Sequence, residues 1–204
     1  MISVALNLAD NEIAKGVQFD GVYIHDVYSG DVIRKLPYSL EDAPHHSLDY
    51  SRDKSQLAGG GFASITIWNT KTGKVVKTLR PNSDKVVPDY TSVCFLADGK
   101  TLVSGDSVGR LTLWRLETGE ASARAEVQDA GPVVDLDILD RRAVVVTNDG
   151  VLRIWDLDDL SEPQQTLNVT PKNGLIKKIQ LGPTGRHVVT LNSNGTVYVL
   201  RLAM

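Results

Sequence analysis

Gly105-Asp106-Ser107-Val108-Gly109 matches G-x-S-x-G, the strand-to-helix elbow that presents a serine nucleophile in α/β-hydrolases. That chemistry needs a helix after the serine and a downstream acid and histidine. The histidine downstream is His187, inside an apolar alternating run that reads as a strand, and the residues flanking Ser107 read as two arms of a hairpin. His45-His46 offers two imidazoles, but adjacent side chains on extended chain diverge, and no acid or cysteine stands at a ligand spacing from them. They read as a loop pair. Gly59-Gly60-Gly61 lacks the Lys-Ser/Thr and the helix of a phosphate loop, so it reads as a bulge or turn. Asp135, Asp137, Asp140, Asp156, Asp158 and Asp159 lack the D-x-D-x-D pattern with its glycine and terminal glutamate that holds calcium, and they read as a solvated face. The expectation is a chain that is not an enzyme, with no catalytic residue, no metal ligand set and no cofactor.

The elements that carry these residues repeat. Trp68, Trp114 and Trp155 stand in SITIWNTKTG, RLTLWRLETG and VLRIWDLDDL; His25 in VYIHDVYSG and Leu200 in TVYVLRL occupy the same place. The stations 25, 68, 114, 155 and 200 recur at 43, 46, 41 and 45 residues. Polar turns at Asp10-Asn11, Asp53-Lys54, Asp98-Gly99, Asp140-Arg141 and Thr184-Gly185 keep the same period. Between these markers lie runs of about five residues that alternate in polarity and favour Val, Ile, Leu, Thr and Tyr, as strands do. In the second unit the strands are expected at Ser47–Tyr50, Gln56–Gly60, Ser64–Asn69 and Val75–Leu79. In the third they are expected at Thr91–Phe95, Leu102–Gly105, Arg110–Trp114 and near Ser122–Val127. No sustained i, i+3, i+4, i+7 apolar stripe appears, so helices should be scarce. Four antiparallel strands per unit of this length make one blade of a β-propeller.

In these residues the sequence resembles the WD40-repeat family. Ile154-Trp155-Asp156, Leu113-Trp114-Arg115, Ile67-Trp68-Asn69 and Ala97-Asp98-Gly99 carry the resemblance, with Lys71-Thr72-Gly73, Glu117-Thr118-Gly119 and Tyr28-Ser29-Gly30 after the indole strands. The Trp-Asp pair itself stands only in the fourth unit. The family's His/Asp/hydroxyl/Trp network is matched by Ser104 and Trp114, and by Thr147, Asp149 and Trp155; Val108 and Phe62 stand where its aspartate is implied. The fold class expected is all-β, a propeller of four-stranded antiparallel blades, about five of them, over residues 1-36, 37-80, 81-128, 129-168 and 169-204 of one domain.

Rings of this family usually close with seven blades. Here Ile2–Leu6 already reads as an innermost strand, and the fifth unit reaches only its third strand, Thr196–Leu202, giving nineteen strands. Three outcomes stay open: part of a larger ring with missing repeats, completion by another chain, or a small five-bladed ring. The frame favours the first two.

Hydrophobic residues make up 42% and charged ones 23% of the 204 residues, with net charge −3. That balance excludes disorder, and it supplies no global positive field for a nucleic acid. The lone Cys94 excludes an internal disulfide, and no apolar run reaches the ~18 residues of a membrane span. The N-terminus lacks the basic and apolar regions of a signal peptide. The expectation is a cytoplasmic protein with neither membrane nor nucleic-acid partner.

Two connections are longer than the rest, Pro37–Ser47 and Arg80–Thr91. Long loops on a rigid scaffold concentrate function, and aromatics with a polar tip anchor interfaces. Tyr38, His45, His46, Lys85, Asp89 and Tyr90 are therefore the candidate contacts for a protein or peptide partner. The function expected, by resemblance, is a scaffold or adaptor. The alternative is a sensor or regulatory propeller segment of a larger kinase- or protease-linked protein.

Overall fold

The computed structural model describes residues 3–17, 20–37, 47–81, 87–127, 129–169 and 171–202. These residues form five antiparallel sheets, each a meander in chain order. The first holds β1 (Ser3–Asn7), β2 (Glu12–Val17), β3 (Gly21–Asp26) and β4 (Val32–Leu36). The second holds β5 (Ser47–Tyr50), β6 (Gln56–Gly60), β7 (Ile65–Asn69) and β8 (Val75–Leu79). The third holds β9 (Tyr90–Phe95), β10 (Thr101–Asp106), β11 (Arg110–Arg115) and β12 (Glu120–Glu126). The fourth holds β13 (Val133–Leu139), β14 (Arg142–Thr147), β15 (Val151–Asp156) and β16 (Gln165–Asn168). The fifth has three strands, β17 (Ile176–Leu181), β18 (His187–Asn192) and β19 (Val197–Arg201). The architecture is an all-β, five-bladed propeller, with no helix among the described residues.

Turn chemistry sets the hairpins. Each recurring polar turn between first and second strands holds one residue at positive φ: Asn11, Lys54, Gly99, Asp140 and Gly185. Asp53 and Asp98 fasten two of these turns by accepting the amides of Ser55 and of Lys100 and Thr101.

The sheets stack through a repeated apolar seam. In the first, Val22, Ile24 and Leu36 cover Leu48, Leu57 and Trp68 of the second. Ile65, Ile67 and Leu79 cover Tyr90, Leu102 and Trp114 of the third. Leu111, Leu113 and Ala125 cover Val133, Leu136 and Trp155 of the fourth. Leu152 and Ile154 cover Ile179, Val188 and Leu202 of the fifth. The three indoles are thus equivalent stations, each sealed by the preceding sheet and each 4% exposed or less. A fully buried aliphatic side chain contributes about 1.5–3 kcal/mol, so these seams carry most of the fold's stability.

A polar clip reinforces each of two seams from outside. Arg34 of β4 donates to Thr70 O at 2.5 Å, and Lys77 of β8 donates to Leu116 O and Glu117 O, both at 2.7 Å. The cation lies across the turn of the following sheet. Gly73 takes φ +69, which is why the Thr-Gly turn there ends in glycine, with Arg34 lying against it. Lys77 is therefore an inter-sheet tether.

The succession leaves two faces uncovered. The first strands β1, β5, β9, β13 and β17 pack one on the next, but no packing of comparable extent joins β17 to β1 among the described residues. Val4 and Leu6 on the first sheet, and Leu191, Val197 and Val199 on the fifth, are each about half exposed or more (49–67%).

Candidate functional site

The innermost strands carry a second repeated device. Ser47 Oγ accepts the Val93 amide at 3.1 Å, and Asp49 Oδ2 accepts the Phe95 amide at 2.7 Å. Ser92 Oγ accepts the Leu136 amide at 3.2 Å. Asp135 Oδ2 accepts the Ile179 amide at 2.9 Å, and Asp137 Oδ2 the Leu181 amide at 2.6 Å. Each bond runs from one sheet's first strand to the next sheet's first strand. The expected solvated face therefore needs correction for Asp135, 5% exposed, whose other oxygen accepts from Lys178 Nζ at 3.0 Å. Asp158 and Asp159 do lie at the surface, where Asp158 pairs with Arg141, and Asp156 is half-buried.

Beside these clips lies a cavity of about 420 Å³ lined by Asp49, Tyr50, Cys94, Phe95 and Asp137, among others. Burial raises the Asp49 carboxyl to about 6, against the Phe95 hydrogen bond and Lys54 that favour its charge. Burial also raises Asp137. The Cys94 thiol is pushed well up, first by burial and then by the Asp49 and Asp137 charges. A thiol held protonated is a poor nucleophile and a poor metal ligand. Among the described residues no group of three His, Cys, Asp or Glu is arranged to hold a metal ion. The cavity's polar groups serve to lock one sheet to the next.

The hairpin reading of Ser107 holds. It sits between β10 and β11, its amide donates to Asp89 O at 2.8 Å, and its hydroxyl accepts the Asp89 amide at 3.0 Å. Of the candidate contacts, Tyr38, His45, His46 and Lys85 lie outside the described residues. Asp89 is half-buried and bridges to Phe62. Tyr90 belongs to β9, not to a loop; it is 1% exposed and meets the Trp114 ring edge-on at 6.0 Å. Its ring is spent on the core, so it is not a surface anchor. A Cβ at Gly60 would come within 2.8 Å of Tyr90 O, so the glycine run marks a close backbone approach.

The indole partners differ from unit to unit. Trp114 Nε1 donates to Ser104 Oγ at 2.9 Å, the pair the resemblance implied. Trp68 Nε1 donates instead to the Pro37 carbonyl at 2.6 Å. Sequence reading missed the buried ion pair of Asp106 and Arg110, Nε to Oδ2 at 2.7 Å. Asp106 also accepts the amides of Val108 and Arg110, closing the turn where the family's aspartate position holds Val108. The i, i+4 spacing recurs in the Asp149–Arg153 pair at 2.8 Å, and that recurrence was the available signal.

No family model matches the chain. It is 20% identical over 193 residues to the fruit-fly (Drosophila melanogaster) Protein LST8 homolog, covering 93% of this chain and 59% of that protein. It is 28% identical over 194 residues to rat (Rattus norvegicus) apoptotic protease-activating factor 1, covering 90% of this chain and 15% of that protein. It is 25% identical over 130 residues to TSET complex member tstF of Dictyostelium discoideum, covering 63% of this chain and 11% of that protein. The chain thus spans under two thirds of the length of these relatives. Among the described residues no helix is long and apolar enough to cross a membrane. Recurring indole stations and the succession of small antiparallel sheets agree with the resemblance of this chain to WD40-repeat β-propeller proteins.

Proposed function

We propose that this chain is a non-enzymatic scaffold or adaptor that binds a partner protein or peptide in the cytoplasm. The observation behind the reading is the ladder of clips between successive first strands, from Ser47–Val93 to Asp137–Leu181. Such a ladder makes a rigid frame between successive sheets, and Asp49, Asp135 and Asp137 are hydrogen-bonded within it. The names of the relatives agree: one is a member of the TSET complex, and two yeast relatives are U3 small nucleolar RNA-associated proteins. The docking residues are Tyr38, His45, His46, Lys85 and Asp89. The test is cross-linked affinity capture with wild type and with Tyr38→Ala/Lys85→Glu. Loss of a defined set of partners from a variant of unchanged melting temperature is the expected result. An identical set from both proteins would reject the assignment of these connections.

Similarity to apoptotic protease-activating factor 1 over 90% of this chain favours a second reading, a regulatory propeller segment of a larger protein. A kinase or protease domain encoded in the same reading frame would decide for it, and a frame that encodes the propeller alone would remove it.

A further inference from the structure

The sequence holds two Asn-Gly steps, Asn173-Gly174 and Asn194-Gly195. In such a step the main-chain nitrogen of the glycine can reach the asparagine Cγ, because no Cβ on the glycine shields it. Asn173 lies on the connection into β17, and Asn194 in the turn between β18 and β19. Both side chains are exposed. The two attacking amides are also held alike: Gly174 N donates to Pro171 O at 3.1 Å, and Gly195 N donates to Asn192 O at 3.0 Å. Neither exposure nor the nucleophile separates the two steps.

The carboxamides do separate them. Asn194 Nδ2 donates to Lys172 O at 2.8 Å. Its Oδ1 accepts the Thr196 amide at 3.0 Å and the Thr196 hydroxyl at 2.7 Å. The amide contact repeats in the fourth sheet, where Asp149 Oδ1 accepts the Val151 amide at 3.0 Å. The turn of Asn194 also rests on the turn of Asn173, since a Cβ at Gly174 would stand 2.9 Å from Asn194 Cγ. Asn194 must give up three hydrogen bonds before its Cγ can be attacked. The Asn173 carboxamide makes none among the described residues. Asn173 also sits at φ 57°, in the left-handed region that is costly for a residue with a Cβ, so leaving that conformation relieves strain.

We propose that Asn173 is a site of spontaneous deamidation in the folded protein and that the hydrogen bonds of Asn194 protect the second step. Gly174 N loses its proton and attacks Asn173 Cγ. The N–Cγ bond forms, the Cγ–Nδ2 bond breaks, and ammonia leaves with that proton, giving a cyclic imide. Solvent water then opens the ring at one or the other carbonyl, giving aspartate or isoaspartate. No oxidant or reductant takes part. Either product places a carboxylate next to Lys172 in the chain, and isoaspartate also adds a methylene to the main chain. The connection holds the same place in its repeat as the candidate contact Asp89: Ser193 N donates to Leu175 O as Ser107 N donates to Asp89 O, both at 2.8 Å. The modification thus adds negative charge at a connection equivalent to one assigned to docking, and it stands whether or not that assignment does.

The test follows both steps by peptide mapping with mass detection, in the folded 204-residue chain and in the same chain unfolded in urea, both kept in mildly alkaline buffer. In urea the two asparagines should convert at similar rates. In the folded chain Asn173 should convert at least tenfold faster than Asn194. The variant Thr196→Val removes one donor to Asn194 Oδ1; it should accelerate conversion at Asn194 and leave the rate at Asn173 unchanged. Equal rates in the folded chain, or faster conversion at Asn194, would overturn the proposal. So would an intact Asn173 in the folded chain after the unfolded chain has converted fully. An unchanged rate at Asn194 in Thr196→Val would overturn the protecting role of its hydrogen bonds.

Discussion

The Asp135 carboxylate of the fourth sheet accepts the Ile179 amide of the fifth at 2.9 Å while its other oxygen meets Lys178 Nζ at 3.0 Å and Ser92 Oγ at 3.3 Å. One side chain thus joins the first strands of three consecutive sheets. A buried acceptor that satisfies a backbone donor matters mainly through what its removal leaves behind.

Asp135→Ala strands the Ile179 amide and the Ser92 hydroxyl and is expected to destabilise the fold by about 1–3 kcal/mol. Urea denaturation measures the loss. Native-state hydrogen exchange should show the fifth sheet opening before the second. Equal acceleration in all five sheets would contradict the clip's local role.

Asp106 and Arg110 form a buried pair, their side chains 1% and 9% exposed. Removing one partner leaves the other charge buried, so Arg110→Ala is expected to cost about 3–5 kcal/mol. The equivalent pair Asp149–Arg153 is more exposed, at 27% and 13%, and Arg153→Ala should cost about 1 kcal/mol or less. Parallel denaturation curves decide it. Similar losses at the two sites would mean that burial is not what separates them.

Asp49 gives the fold a pH dependence of known sign. Its folded carboxyl is raised from 3.8 to about 6 by burial, so the folded state holds its proton more tightly than the unfolded state. The stability it contributes is complete below pH 3.8 and is lost as pH rises through about 6. Asp49→Asn keeps an acceptor for the Phe95 amide without the charge. Its stability relative to wild type should therefore increase between pH 4 and pH 7. Calorimetry at several pH values reads the trend, and a flat difference would refute the buried charge.

Tyr90 separates packing from docking. Tyr90→Ala removes a ring buried against Trp114 and should cost about 3–5 kcal/mol, as other large-to-small core changes do. Tyr38→Ala should leave the melting temperature unchanged and weaken partner capture. A Tyr90→Ala protein of wild-type stability would place that ring at the surface after all.

The residue sequence by itself determined the period, the hairpins and the stations. Alternation over five residues, an Asp-Gly or Asp-Asn turn and an indole at a fixed offset are short-range features, and each follows from local backbone and burial preferences. That is why the strand limits at Ser47–Tyr50 and Gln56–Gly60 agree with the structure. Only the tertiary structure decided which polar side chains are structural. Asp49 and Asp53 look alike in sequence; one reaches the next sheet's backbone, and the other closes its own turn. Lys77 and Lys74 likewise share one strand region, yet only Lys77 is shown crossing to the turn after Trp114. Tyr90 passed for a loop anchor because a residue after Pro-Asp looks like a connection, and the bond from its amide to Gly61 O joins segments distant in the chain. Contacts between residues one repeat apart depend on how the sheets stack about their first strands, and no local pattern encodes that placement.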